Sequence, residues 1–177
     1  MRALARRLRK TEGAEIAEAA LVLPVVFVFL LGIVWFGRAF NIYSTIQQAA
    51  QQGAIVAARP VCATCGNAFP ATSTVSGAVE AVMKASSIDP SAILASAPQP
   101  GVLACPAPLP PPPSGGACTQ SDNIWICSSV QLNASAGGNQ AVQCGTIVSF
   151  QYPFQFHVPF TSFSTVFSAQ AQSRMEY

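Results

Sequence analysis

The stretch AALVLPVVFVFLLGIVWFG, from Ala19 to Gly37, decides the fold of the N-terminal part of this chain. Its 19 residues include no charged side chain. Apolar residues occupy every face of the corresponding helix instead of one stripe, which disfavours a helix that is half buried in a soluble core. A helix of this length rises about 28 Å, close to the ~30 Å thickness of a bilayer core. The stretch therefore predicts a membrane-spanning helix.

The charges around this stretch are unevenly distributed. Residues 1–13 carry five basic residues and one acidic residue, whereas residues 14–177 carry four basic and six acidic residues. Because positively charged flanks stay in the cytoplasm, the C-terminal part is expected on the outer side of the membrane. Four dispersed cations cannot neutralise a run of phosphates, so nucleic acid is not an expected partner. Membrane lipid is an expected partner, because the apolar stretch predicts a membrane span.

A secretory signal peptide also combines a basic start with an apolar run. Here the run is too long for a signal peptide, and no sharp A-x-A cleavage site closes it. Arg38 instead leads into a continuing helical pattern. These features favour a retained anchor.

Two acidic residues, Glu15 and Glu18, lie between the basic residues and the apolar run. Glu18 is the fifth residue counted from Ala14, which directly follows Gly13. A carboxylate at the bilayer edge can stay in the headgroup region, whereas one that lies deeper needs a cationic partner. Position alone leaves both interpretations of Glu18 open.

A basic leader, Gly13, Glu18 and an apolar helix, in that order, resemble a class III (prepilin-type) signal. The string EGAEIAEAALVLP, residues 12–24, resembles more specifically the TadE-like family of tight-adherence (Flp) pilus assembly proteins. Residues 31–38 and 48–54 are similar to that family too, and residues 168–177 are similar to its closing strand. The resemblance extends over residues 11–59 and is absent from about 60 to 140. Ala19 stands where the family more commonly has Phe, and the Phe-Thr of major type IV pilins does not follow the Gly.

The resemblance implies a minor pilin or pseudopilin in a bacterial inner membrane, with its head outside the cytoplasm. It implies that a prepilin peptidase cuts between Gly13 and Ala14. The implied partners are this peptidase, other pilus subunits and the inner-membrane assembly platform. Glu18 would then pair with the new ammonium of Ala14 in a neighbouring subunit. The alternative is an uncleaved bitopic envelope protein with a disulfide-rich adhesive or scaffolding domain.

The chain divides into a basic leader at 1–13, a transmembrane and amphipathic helix at 14–59, and an extracytoplasmic head at 60–177. Beyond the membrane one apolar stripe continues the helix as far as Arg59, and Pro60 ends it. The stripe consists of Ile42, Ile46, Ala49, Ala50, Gly53, Val56 and Ala57. Pro24 predicts a helix kink.

The head begins with a second, short amphipathic helix. Its expected range is about 74–87, with Thr72, Ser73 or Thr74 as the N-cap and Asp89-Pro90 as the stop. Eight prolines between residues 96 and 117 predict a stiff loop with a polyproline II stretch.

Period-two alternation begins at Asn123 and predicts strands. Ile124, Ile126, Val130 and Leu132 are expected on one face of the first strand. A second strand would carry alternate residues from Val142 to Phe156, with a bulge or an edge at Pro153. A last strand is expected from about Phe163 to Tyr177. Three antiparallel strands packed on the long helix give an α+β, pilin-like fold.

All six cysteines follow the membrane segment, which favours disulfides in an oxidising compartment. Sequence proximity suggests the pairs Cys62–Cys65, Cys105–Cys118 and Cys127–Cys144. Strand alternation disputes the last pair, because it places Cys127 and Cys144 on different faces. The rival pairing is Cys118–Cys127 with Cys105–Cys144.

Little in the chain indicates catalysis. His157 is the sole histidine, Asp occurs only at 89 and 122, and no nucleophile motif surrounds any Ser. Cys62-x-x-Cys65 is typical of a metal half-site or a redox pair, but zinc needs two further ligands at compatible spacing. We expect a non-enzyme without cofactor or metal, and a thiol oxidoreductase that uses Cys62 and Cys65 is the third hypothesis.

Overall fold

The computed structural model describes residues 2–59, 68–106, 117–133, 141–158 and 161–175, with side chains from Glu15 onward except those of His157 and Val158. It contains two compact units, Met1–Phe40 and Asn41–Tyr177. The described part of the first unit is helical, and the second combines helices with a four-stranded antiparallel sheet. The predicted α+β class, with a long N-terminal helix and a small sheet, is confirmed.

Helix α1 extends over Arg2–Ala58 and runs through Pro24. It begins within the basic leader, well before the predicted start at residue 14. It ends one residue short of the predicted Arg59, because the residue before a proline disfavours the helical conformation. A proline inside a helix removes one backbone hydrogen bond, which is the reason to expect a kink at Pro24. That kink stays a prediction.

Helix α2 extends over Thr72–Ala85, two residues earlier than predicted. Its N-cap is Ala71, which makes no side-chain cap hydrogen bond, so the expected cap at Thr72, Ser73 or Thr74 is wrong. The helix also ends before Asp89-Pro90. Ser87 takes the left-handed conformation (φ 57°) that closes many helices.

Four strands form the sheet in the order β1 (Cys118–Ser121), β2 (Ile124–Gln131), β3 (Cys144–Val158) and β4 (Thr161–Arg174). Strand β1 was not predicted, because four mostly polar residues carry no hydrophobic alternation. It is joined to β2 by Asp122 and Asn123, whose φ angles of 51° and 64° match a two-residue hairpin turn.

Strand β2 contains a bulge that reverses its inward face. The pairing with β3 shifts register between Cys127 and Val130, and Ser129 has a φ of 57°. Ile126 lies in the main core, whereas Val130 packs with Cys127 in a separate cluster. The prediction that Val130 and Leu132 share a face with Ile124 and Ile126 is wrong, because the one extra residue in the bulge inverts the alternation.

Strand β3 pairs with β4 without a register shift, and Pro153 lies opposite Val166. The pairing of β3 with β2 ends at Ser149. Among the described strands, β3 therefore has a neighbour on only one side at Pro153. The sequence predicted either a bulge or an edge position at Pro153, and the structure has the edge position.

Both helices pack on one face of the sheet. The fully buried hydrophobic residues of α1 are Ile46, Ala49, Ala50, Ala54 and Ala57. All of them except Ala54 belong to the predicted stripe, whose members Ile42 and Val56 are only partly buried. Val79 of α2, and Val148 and Phe150 of β3, complete this core. A smaller cluster on the other face contains Cys127, Val130 and Ile147.

Candidate functional site

The apolar segment of α1 exposes large hydrophobic side chains on all sides. Most of its side chains between Ile16 and Phe40 are exposed, among them Leu21, Phe27, Phe29, Ile33, Val34 and Phe36. Within the described residues, one helix is long and apolar enough to cross a membrane, and its candidate range is Glu15–Ala58. Such a surface is unsuited to water, because soluble monomers rarely expose contiguous apolar patches of this kind. The observation agrees with the predicted membrane span.

Gly13, Ala14, Glu15 and Glu18 all belong to the helical backbone of α1, just before the apolar segment. Both carboxylates are exposed. Among the side chains that the structure describes, Glu18 has no ion-pair partner. Ala14 and Glu18 are separated by four residues, about one helical turn or 6 Å along the axis. Cleavage after Gly13 and charge pairing of Glu18 stay predictions.

Trp35 and Arg38 form a contact at the C-terminal end of the apolar segment. The guanidinium carbon of Arg38 lies 5.9 Å from the centre of the Trp35 ring. A cation over an aromatic face is attractive, and both residue types favour the membrane–water boundary. In the sequence Arg38 marks only the end of the apolar run, and no motif indicates its contact with Trp35.

Besides the apolar core, two hydrogen bonds and one aromatic contact join the second unit's part of α1 to the sheet. Thr146 Oγ1 donates to the carbonyl oxygen of Ala54 at 3.1 Å. Gln47 Nε2 donates to the carbonyl oxygen of Ser168 at 3.1 Å. Tyr43 meets the ring of Phe167 edge-on, with 6.0 Å between ring centres. No local pattern signals these contacts, because each joins residues that are more than 90 positions apart.

Within the described residues, two disulfides stabilise the head. One joins Cys105 to Cys144, with 6.0 Å between Cα atoms, and the other joins Cys118 to Cys127, with 3.9 Å. The proximity pairs Cys105–Cys118 and Cys127–Cys144 are therefore wrong, and the rival pairing is confirmed. Cys62 and Cys65 lie outside the described residues.

The strand register explains this pairing. Cys118 lies directly opposite Cys127 in the β1–β2 ladder. Cys105 donates its backbone N–H to the carbonyl oxygen of Ser129, so the preceding loop runs along β2. Gln131, two residues further along β2, lies opposite Cys144. The loop thus brings Cys105 beside the start of β3.

The two aspartates of the head stabilise local backbone turns. The side chain and backbone N–H of Ser91 donate to Asp89 and hold the pKa of that carboxyl below its usual value. Asp122 Oδ2 accepts from the hydroxyls of Ser76 at 2.7 Å and Ser121 at 3.1 Å, which ties α2 to the β1–β2 turn. No group of three or more potential metal ligands occurs within the described part of the chain.

The comparisons with known proteins locate the similarity in α1. Residues 13–54 match a family model described as TadE-like protein. The resemblance is thereby confirmed over the segment that holds Gly13, Glu18, the apolar run and most of the stripe that packs on the sheet. The match covers about a quarter of the chain. Neither the curated proteins nor the solved structures include a significant match.

Proposed function

We propose that this chain is a minor pilin or pseudopilin, a structural and assembly component of a tight-adherence (Flp) pilus. The similarity of residues 13–54 to TadE-like proteins indicates involvement in the assembly of such a pilus and contact with its other components. Together with the exposed apolar helix, it indicates a membrane-associated protein. The match over the segment from Gly13 through the apolar helix is the observation that carries the proposal.

The first step of the proposed mechanism is removal of the leader by a prepilin peptidase. Gly13 has no side chain, so it lets a peptidase approach the bond to Ala14 closely. The basic leader would hold this bond at the cytoplasmic face of the inner membrane. The peptidase supplies the hydrolytic groups, and the proposal assigns no reaction to the chain itself.

The second step is lateral packing of helices in the growing pilus. A lone carboxylate or a lone ammonium is costly inside a protein assembly. A pair between Glu18 of an incoming subunit and the Ala14 ammonium of its neighbour would offset both costs and set the axial register. The exposure of Glu18 supports such an intermolecular contact.

The part of α1 that belongs to the second unit has one buried face and one exposed face, and this arrangement supports the proposal. The face that carries Ile46, Ala50 and Ala57 is buried against the sheet. The other face exposes Gln48, Gln51 and Gln52. The buried face holds the chain's own head, and the exposed face remains for neighbouring subunits.

The proposal is tested by the mass and the partners of the membrane-extracted protein. Cleavage predicts an intact mass that lacks Met1–Gly13. Isolation of the tagged protein from a piliated strain should also recover pilus subunits or the assembly platform. A mass that retains the leader, without pilus components, would favour the uncleaved envelope protein with an adhesive or scaffolding head.

A further inference from the structure

The far end of the β3–β4 hairpin carries large apolar side chains outside the core. Phe163 is 61% exposed and Val166 is 48% exposed, whereas Tyr152 and Phe154 on the same hairpin are buried. Phe163 lies beside Phe156, with 6.5 Å between ring centres. From Phe154 to Phe167 the sequence includes no Asp, Glu, Lys or Arg. This uncharged, aromatic end differs from an ordinary solvated hairpin.

The contacts with α1 define the direction of this hairpin within the second unit. Near the start of β3, Thr146 contacts Ala54. Further along, Phe167, which pairs with Tyr152, contacts Tyr43. The hairpin therefore advances from the C-terminal end of α1 towards the beginning of the unit at Asn41. Phe163 lies four residues beyond Phe167, a further rise of about 13 Å.

The membrane boundary lies close to the same end of the unit. The uncharged apolar run ends at Gly37, and the second unit begins at Asn41. Four residues span about 6 Å in a helix and at most about 14 Å when fully extended. The entry point of the unit is therefore near the bilayer surface, whatever the orientation of the two units.

We propose that the hairpin end, defined by Phe156, Phe163 and Val166, inserts into the interfacial region of the bilayer that anchors the chain. The occupant of this surface is lipid. Aromatic side chains favour the membrane–water interface, and the absence of formal charge avoids the cost of bringing ions into it. The inference rests on the membrane anchorage of α1 and not on the proposed pilus role.

Brominated phospholipids test this contact, because bromine on the acyl chains quenches nearby tryptophan. The full chain carrying Trp35→Phe and Phe163→Trp is reconstituted in phosphatidylcholine vesicles with and without brominated acyl chains. A matched control carries Trp35→Phe and Leu103→Trp, since Leu103 is 58% exposed and contacts the opposite end of the sheet through Gln131. Trp125 is a common background in both variants.

The brominated lipid is expected to remove much of the emission that the Phe163→Trp substitution adds, and to leave the control nearly unchanged. Val166→Trp in place of Phe163→Trp should behave in the same way. Equal quenching of Phe163→Trp and Leu103→Trp would overturn the proposal. So would a blue-shifted but unquenched emission from the Phe163→Trp variant, which would indicate a protein contact. In the unaltered chain, Trp35 must be quenched; if it is not, α1 is not inserted and the premise fails, independently of any result on pilus partners.

Discussion

A Cβ atom built on Gly53 of α1 would lie 2.6 Å from Cγ2 of Val79 on α2. The same atom would lie 3.3 Å from Cγ1 of Val148 on β3. Two helices and the sheet thus meet where no side chain fits. The neighbouring Ala49, Ala50 and Ala54 extend this close approach along α1.

Gly53→Ala should lower the stability of the head. Overpacking costs about 1–3 kcal/mol, which outweighs the gain of up to about 1 kcal/mol from replacing Gly in a helix. Denaturant unfolding of the full chain in detergent, followed through Trp125 fluorescence, measures the change in the free energy of unfolding.

Gly77 provides the matched control, because a Cβ there meets nothing within 4 Å. Gly77→Ala should stabilise the head by about 0.5–1 kcal/mol through helix propensity alone. If Gly53→Ala stabilises as much as Gly77→Ala, then the three elements do not meet as closely as the structure has them.

The two disulfides should contribute unequally to stability. Cys105 and Cys144 are 39 positions apart in the sequence, whereas Cys118 and Cys127 are 9 positions apart. In the chain-entropy model, removing the Cys105–Cys144 link costs about 4 kcal/mol and removing Cys118–Cys127 costs about 2.7 kcal/mol. We expect Cys105→Ser with Cys144→Ser to lower the unfolding free energy more than Cys118→Ser with Cys127→Ser. Non-reducing peptide mapping should recover both pairs, and a peptide that joins Cys127 to Cys144 would contradict the structure.

How well the sequence predicts each element depends on whether neighbouring or distant residues determine its structure. The apolar run is a continuous uncharged stretch and the stripe of α1 has a helical period, so the sequence indicated both of these local patterns. The bulge at Ser129 is one irregular step in β2, and it inverted every later assignment on that strand. Strand β1 has four residues and owes its place to β2, to the turn at Asp122 and to the bond with Cys127.

In the candidate site, too, local features can be predicted from the sequence and contacts between distant residues cannot. Gly13 and Glu18 belong to a local signal, and their spacing is readable without a structure. The contact of Tyr43 with Phe167 depends on how the hairpin lies along α1, which no spacing in the sequence specifies. The disulfide pairing also depends on the strand register. Alternation on β2 and β3 raised the correct alternative, but it could not place Cys105 beside Cys144.

Tyr152 should make the head less stable at high pH. Burial, followed by the negative charge of Asp89, raises the pKa of its phenol above the usual value of 10.0. The folded state therefore retains the proton longer than the unfolded state. The resulting stabilisation is fully present below pH 10 and is lost as the pH rises through the folded pKa. Unfolding midpoints measured from neutral to strongly alkaline pH should fall at the upper end of this range.

The Tyr152→Phe variant isolates this effect, because it removes the ionisable group and keeps the ring. Its stability should fall less steeply above pH 10 than that of the unaltered chain. Non-reducing gels at each pH exclude disulfide exchange as the cause. Identical alkaline profiles for the two proteins would show that the fall originates elsewhere.

Glu18→Gln should separate membrane insertion from assembly. The substitution keeps the size of the side chain and removes the charge that would pair with the Ala14 ammonium of a neighbouring subunit. We expect the variant to be made, inserted and largely cleaved. Its recovery with pilus subunits or assembly-platform proteins should be reduced, since its neighbour's ammonium would be left without a partner. Quantitative co-purification from membranes, together with intact mass, measures both outcomes.

Glu15→Gln is the matched control. Glu15 lies three residues before Glu18, so an angle of about 60° separates the two side chains around the helix, and Glu15 lies closer to the aqueous edge. Water can solvate a carboxylate there, and the loss of its charge should affect co-purification much less. A headgroup position for Glu18 predicts instead that both variants behave like the unaltered chain. Equal recovery of pilus components by all three proteins would therefore exclude charge pairing at Glu18, and the family resemblance over residues 13–54 would still stand.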